Sequence, residues 1–141
     1  ISFTPEAGLT GDPTPVEYQI TDTDGQTSDP ATLALDYQPL PVASNDNPVA
    51  TPGQPVTVDV LANDSNEGVT DPENMTVQLL NDTGTPVDTL DVPGEGTWTV
   101  EPDGQISLIP EAGLTGDPTP VDYQITDSDG RTSTPATVRI D

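Results

Sequence analysis

The amino-acid sequence predicts an all-β protein built as an antiparallel sandwich, and three observations carry that reading. Apolar residues alternate with polar ones in short runs, as in Val56, Val58, Val60 and in Val121, Tyr123, Ile125. A period of two places one face of a strand in a core and the other in water. Turn-forming pairs punctuate these runs, among them Pro52-Gly53, Asn63-Asp64, Pro93-Gly94, Asp103-Gly104 and Asp129-Gly130. Finally, 17 prolines and 12 glycines leave no window with a sustained helical stripe.

Taken in chain order, the pattern predicts strands at Val49–Thr51, Val56–Leu61, Met75–Leu80, Val87–Val92, Thr97–Glu101, Gln105–Ile109, Val121–Thr126 and Ala136–Ile140. Many short strands at regular spacing read as a two-sheet sandwich. Trp98, Tyr123, Val58, Val60, Leu79, Leu108 and Ile125 are expected to fill its core, with Tyr18 facing inward like Tyr123. Gly116-Asp117-Pro118-Thr119-Pro120 reads as a stiff elbow into the following strand, because proline fixes φ and narrows the unfolded ensemble.

The most informative feature is an internal repeat. ISFTPEAGLTGDPTPVEYQITDTDGQTSDPATLALD at 1–36 recurs as ISLIPEAGLTGDPTPVDYQITDSDGRTSTPATVRID at 106–141, an ungapped offset of 106 − 1 = 105 residues. Glu17 becomes Asp122, Thr23 becomes Ser128 and Leu33 becomes Val138. Residues 37–48 are rich in proline and asparagine and mark a boundary. The chain therefore divides into the C-terminal part of a preceding repeat (1–36), a linker (37–41) and a complete repeat (42–141). The complete unit has the size of an immunoglobulin-like sandwich. Its length exceeds that of solenoid repeats, so the array is a string of separate domains. No signal peptide is visible, and the segment is expected to be cut from a longer protein. The partial copy has only the last strands of a sandwich, so a neighbouring repeat or a second copy is expected to pair with it.

Two basic and 25 acidic residues give 141 residues a formal net charge of −23. Low hydrophobicity with high charge also describes disordered chains, and the ordered alternation of apolar residues argues against that reading. A surface this negative repels nucleic acid and anionic lipid. No run approaches the roughly 18 apolar residues of a membrane span. Without cysteine there is no disulfide, and without lysine no lysine–asparagine crosslink. With neither histidine nor cysteine, the usual acid–base and thiol machinery is missing, and the chain reads as a non-enzyme.

The string VPGEGTWTVEPDGQISLIPEAGLTGDPTPVDYQITDSDGRTSTPATVRI (Val92–Ile140) resembles the CshA-type fibril repeat of bacterial surface adhesins. VTVDVLANDSNEGVTDPENMTVQL (Val56–Leu79) is similar to the same family's VLxND segment followed by DP before a strand. The wider likeness is to cadherin-like tandem repeats of giant secreted proteins. The resemblance covers 42–141, with 1–36 as its partial copy. It implies a β-sandwich module, repeated many times, that projects an adhesive region from the cell, outside catalysis. The acidity and the absence of lysine depart from it and suggest a salt-adapted source.

Two acidic clusters are candidate calcium sites. Asp127-Ser128-Asp129-Gly130 reads either as a hairpin turn, with Asp accepting backbone N–H groups and Gly at positive φ, or as a calcium loop. It lacks the full Asp-x-Asp-x-Asp-Gly spacing. Asn45-Asp46-Asn47 at the boundary, with Asn63-Asp64 and the acids Glu67, Asp71 and Glu73, reads either as a solvated loop or as a junction calcium site. The candidate ligands are Asp46, Asn47, Asp64, Asp127 and Asp129. Three functions follow. The first is a structural spacer in an extracellular surface fibril, partnered by neighbouring repeats. The second is a self-assembling filament subunit completed by strand exchange. The third is a repeat that itself binds a glycan or host protein, which needs exposed aromatic or arginine anchors.

Overall fold

The computed structural model describes residues 1–6, 9, 11–66 and 72–141, and divides into two compact units, Ile1–Pro39 and Leu40–Asp141. In the first, β1 (Val16–Tyr18) and β2 (Ala31–Leu33) form an antiparallel hairpin.

Among its described residues the second unit contains eight strands. These are β3 (Val56–Val58), β4 (Met75–Leu80), β5 (Pro86–Val87), β6 (Thr89–Val92), β7 (Gly96–Val100), β8 (Ile106–Pro110), β9 (Val121–Asp127) and β10 (Ala136–Val138). One sheet runs β10-β9-β4-β5 and the other β3-β8-β7-β6, with every strand pairing antiparallel. The inward residues of both sheets share one core. Met75, Val77 and Leu79 of β4 and Val121, Tyr123 and Ile125 of β9 come from one side. Val58, Trp98, Ile106 and Leu108 come from the other. All seven residues expected in the core are buried. The fold is a β-sandwich, and among the described residues the only helical elements are two 3₁₀ turns, Val60–Ala62 and Pro72–Asn74.

Three strand expectations need correction, each for a physical reason. The run Val56–Leu61 ends as a strand at Val58. Val60 and Leu61 are adjacent yet both buried, at 0% and 2% exposure. A strand sends neighbours to opposite faces, so a 3₁₀ turn is the conformation that buries both. The run Val87–Val92 is split at Asp88, because β5 pairs with β4 while β6 pairs with β7 in the other sheet. The Asp88 carbonyl accepts the Val100 N–H at 2.8 Å and anchors the crossing. Val49–Thr51 forms no named strand: Pro48 lacks a donor and Pro52 closes the segment, leaving Ala50 to donate to the Asp141 carbonyl at 2.9 Å.

The duplicated hairpin keeps its register in both copies. Tyr18 faces Ala31 as Tyr123 faces Ala136, and the bridge Thr21–Thr27 matches Thr126–Thr132. The surroundings differ. In the complete unit β4 lies along the far side of β9, with Leu79 opposite Tyr123. Among the described residues of unit 1–39 no strand lies along β1 as β4 lies along β9, and Tyr18 is 39% exposed where Tyr123 is fully buried. Strand alternation alone therefore does not turn Tyr18 inward.

One glycine is set by packing. Gly96 sits opposite Pro110 with φ +150°, and a Cβ there would run into the Ile109 carbonyl and lie 2.8 Å from Pro110 Cα. Gly96→Ala is expected to destabilise residues 40–141 by about 1–3 kcal/mol, and Ile125→Ala, in the core, by about 2–5 kcal/mol. Urea unfolding checks both, and a Gly96→Ala midpoint equal to the parent would contradict the close approach.

Candidate functional site

The polar centre of the sandwich is built around the hydroxyl of Tyr123. The ring belongs to the core, as its place on β9 dictates, but a buried phenol still needs a partner for its O–H. It finds three. The hydroxyl lies 2.8 Å from the Ser44 carbonyl, 3.0 Å from Asp46 Oδ2, and 3.1 Å from both Asp64 oxygens. The chain brings these groups together by local steps. The 3₁₀ turn Val60–Ala62 delivers Asp64, and the bridge between Val42 and Ser65 holds the incoming segment beside it. Asp46 is fixed by backbone bonds to the last strand: its N–H donates to the Thr137 carbonyl at 3.0 Å, and its own carbonyl accepts the Arg139 N–H at 2.9 Å.

Second contacts orient the carboxylates. Asp64 Oδ1 accepts the Ser44 N–H at 2.7 Å. Asp46 Oδ1 accepts the Asn63 side-chain amide at 3.1 Å, and the same amide reaches the Asn45 carbonyl at 3.2 Å. Both aspartates are buried, at 9% and 0% exposure. The phenol has one proton to offer two carboxylates and a carbonyl. Burial therefore raises the Asp64 carboxyl to about 6, against the lowering effect of the Ser44 N–H and the Tyr123 hydroxyl, with the nearby Asp46 charge adding to the rise. Asp46 is raised as well, chiefly by burial. Burial and the two carboxylates push the phenol upward, so it stays a neutral donor. Below about pH 6 a proton held by Asp64 supplies the second donor the cluster lacks.

The other candidate cluster is a hairpin turn. Asp127 is buried, which opposes its charge, yet its carboxyl is held below the ordinary value by the backbone N–H groups of Arg131 and Asp129 and by the Arg131 guanidinium. Asp127 Oδ1 accepts those N–H groups at 2.9 and 3.0 Å, and Arg131 Nε sits 2.7 Å from Oδ2. Asp129 faces the same guanidinium at 3.3 Å. The copy in unit 1–39 makes the same turn with Asp22 accepting from Asp24 and Gln26.

The structure therefore joins Asp46 and Asp64, keeps Asp127 and Asp129 together at a separate turn, and leaves Asn47 exposed. Glu73 is exposed, while Glu67 and Asp71 lie outside the described residues. Calcium takes about 6–8 oxygens. Among the described residues no group of three or more acidic, histidine or cysteine side chains is arranged to hold a metal. Sequence reasoning missed the role of the Tyr123 hydroxyl and of Ser44. The available signal was an inward tyrosine in a chain that also carries the Asn-Asp pairs Asn45-Asp46 and Asn63-Asp64.

A two-sheet module with a buried polar hub, carried in tandem copies, belongs to the class of chained β-sandwich repeats. The profile of the family described as the surface adhesin CshA repetitive domain matches residues 38–138, and the chain belongs to that family. A search of curated proteins finds no match.

The hub makes stability depend on pH. Asp64 binds its proton more tightly when folded (about 6) than at the ordinary carboxylate value of 3.8, so protonation stabilises the fold. That contribution is complete below the ordinary value and is lost as pH rises through 6; Asp127 acts oppositely, losing its contribution in stronger acid. Residues 40–141 are expected to be more stable at pH 4.5 than at pH 7 by roughly 2 kcal/mol through this group. Asp64→Asn should remove most of that difference, which separates the hub from general relief of surface charge. Equal pH dependence in parent and variant would contradict the assignment.

Proposed function

We propose that the chain is a spacer segment of a bacterial cell-surface fibril, in which each repeat contributes reach and stiffness to a stalk carrying a distal binding region. The observation that carries this reading is the recurrence of residues 1–36 at an offset of 105 residues within a surface-adhesin repeat family. The surface supports it. The aromatic residues of unit 40–141 are Trp98 and Tyr123, both fully buried, so the repeat offers no exposed aromatic anchor of the kind that dominates binding energy. The high negative charge keeps neighbouring copies apart and soluble. A concatemer of three copies of 42–141 is expected to show a maximum dimension in X-ray scattering that grows by a constant increment per copy. A compact particle would overturn the spacer reading.

A second reading draws on unit 1–39. Among the described residues β1 pairs with β2 alone, and the exposed Val16, Tyr18 and Ile20 match the surface that β4 covers in the complete unit. A neighbouring repeat, or another copy, would supply such a strand. Sedimentation of 1–141 beside 40–141 tests it: self-association only in the longer chain favours strand exchange, and two monomers exclude it at the concentrations used.

A further inference from the structure

The first and last segments of the complete repeat lie side by side and run in the same direction. Asp46 and Val138 form a parallel bridge. Four backbone hydrogen bonds follow along the pair. Asp46 N–H donates to Thr137 O at 3.0 Å, Arg139 N–H to Asp46 O at 2.9 Å, Asp141 N–H to Pro48 O at 3.1 Å, and Ala50 N–H to Asp141 O at 2.9 Å. A bond from residue 48 to the Arg139 carbonyl is missing from this ladder because Pro48 has no N–H. At the upstream end the backbone of Ser44 turns to the hub, its N–H to Asp64 and its carbonyl to Tyr123. The place it vacates is taken by the Asn45 side chain, whose Oδ1 accepts the Thr137 N–H at 2.9 Å.

Parallel order decides how these bonds meet a pull along the chain. Tension drawn from residue 40 drags the first segment toward its upstream end, while tension drawn from residue 141 drags the last segment the other way. The two segments must slide past one another lengthwise, so the ladder is loaded all at once. Had they been antiparallel, the same pull would open the bonds one at a time from one end. The upstream end is held further by the paired Val42–Ser65 bonds, at 2.8 and 3.0 Å.

We propose that the parallel pair formed by residues 44–50 and 136–141 is a shear lock that makes each repeat a tension-bearing link. The proposal deepens the spacer reading by assigning the load to named bonds. It concerns the strength of one unit, whereas the scattering test concerns the shape of several, so each can fail alone. The Tyr123 hydroxyl and the Asn45 amide act as positioning groups for the lock, since they hold the first segment in register with the last.

The test is single-molecule force spectroscopy on the 1–141 chain, which has no native cysteine and so accepts handles at chosen positions. One version carries Leu40→Cys with Asp141→Cys, which pulls the pair in shear. The other carries Thr51→Cys with Asp141→Cys, placing both handles at the same end of the pair so that it peels. The shear version should unfold at a force at least about twofold higher than the peeled one, because bonds of similar individual strength break together in one case and in turn in the other. Equal forces, or a lower force in shear, would overturn the lock. Ala50→Pro removes the donor to Asp141 and should lower the unfolding force in shear while leaving it unchanged when peeled. Loss of force in both directions would assign Ala50 to general stability and overturn its place in the lock. If Ala50→Pro does not fold, the comparison of the two pulling directions still decides.

Discussion

A single buried hydroxyl is the constraint on which the sandwich depends. Tyr123 fills the core with its ring and aims its O–H at groups from two other stretches of chain, Ser44 and Asp46 on the entering segment and Asp64 after the first 3₁₀ turn. A unit without disulfides or lysine crosslinks has to fix its entering segment by such contacts. The cost is that two carboxylates lose their water. The fold meets that cost with backbone N–H groups, the Asn63 amide and a raised proton affinity at Asp64, with no basic side chain at the hub. The guanidinium of Arg131 is used elsewhere, to hold the turn after β9.

The architecture was largely legible in the residues. Alternation at Val121, Tyr123 and Ile125 and at Met75, Val77 and Leu79 marks two adjacent strands, and both runs are buried as the period requires. Legibility failed where the backbone departs from that period. Val60 and Leu61 look like the continuation of a strand, and only the need to bury both reveals the turn. The crossing at Asp88 is invisible locally, because the residues on either side are equally fit for either sheet. The parallel pairing of 44–50 with the final segment was also unreadable, since it joins stretches more than 90 positions apart, as in the contact of Asn45 with Thr137.

The hub shows a similar division. The Asn-Asp pairs stood out as polar clusters beside turns, and Asp46 and Asp64 do converge. What they converge on was hidden, because Tyr123 reads as a core residue and nothing in its neighbours announces a partner. Asp127-Ser128-Asp129-Gly130 was open to two readings, and the arginine two positions past Asp129 is the feature that favours the turn: its guanidinium occupies the carboxylates a cation would need.

The shared register of the two hairpins bears on how such an array folds. Residues 16–33 and 121–138 present nearly the same edge to any strand that can pair as β4 does. During synthesis the earlier hairpin leaves the ribosome before β4, and β9 follows β4. Similarity between adjacent repeats is a known source of interdomain misassembly. What separates correct from swapped pairing is the rest of the unit: the core that the inward residues of β7 and β8 close over those of β4 and β9.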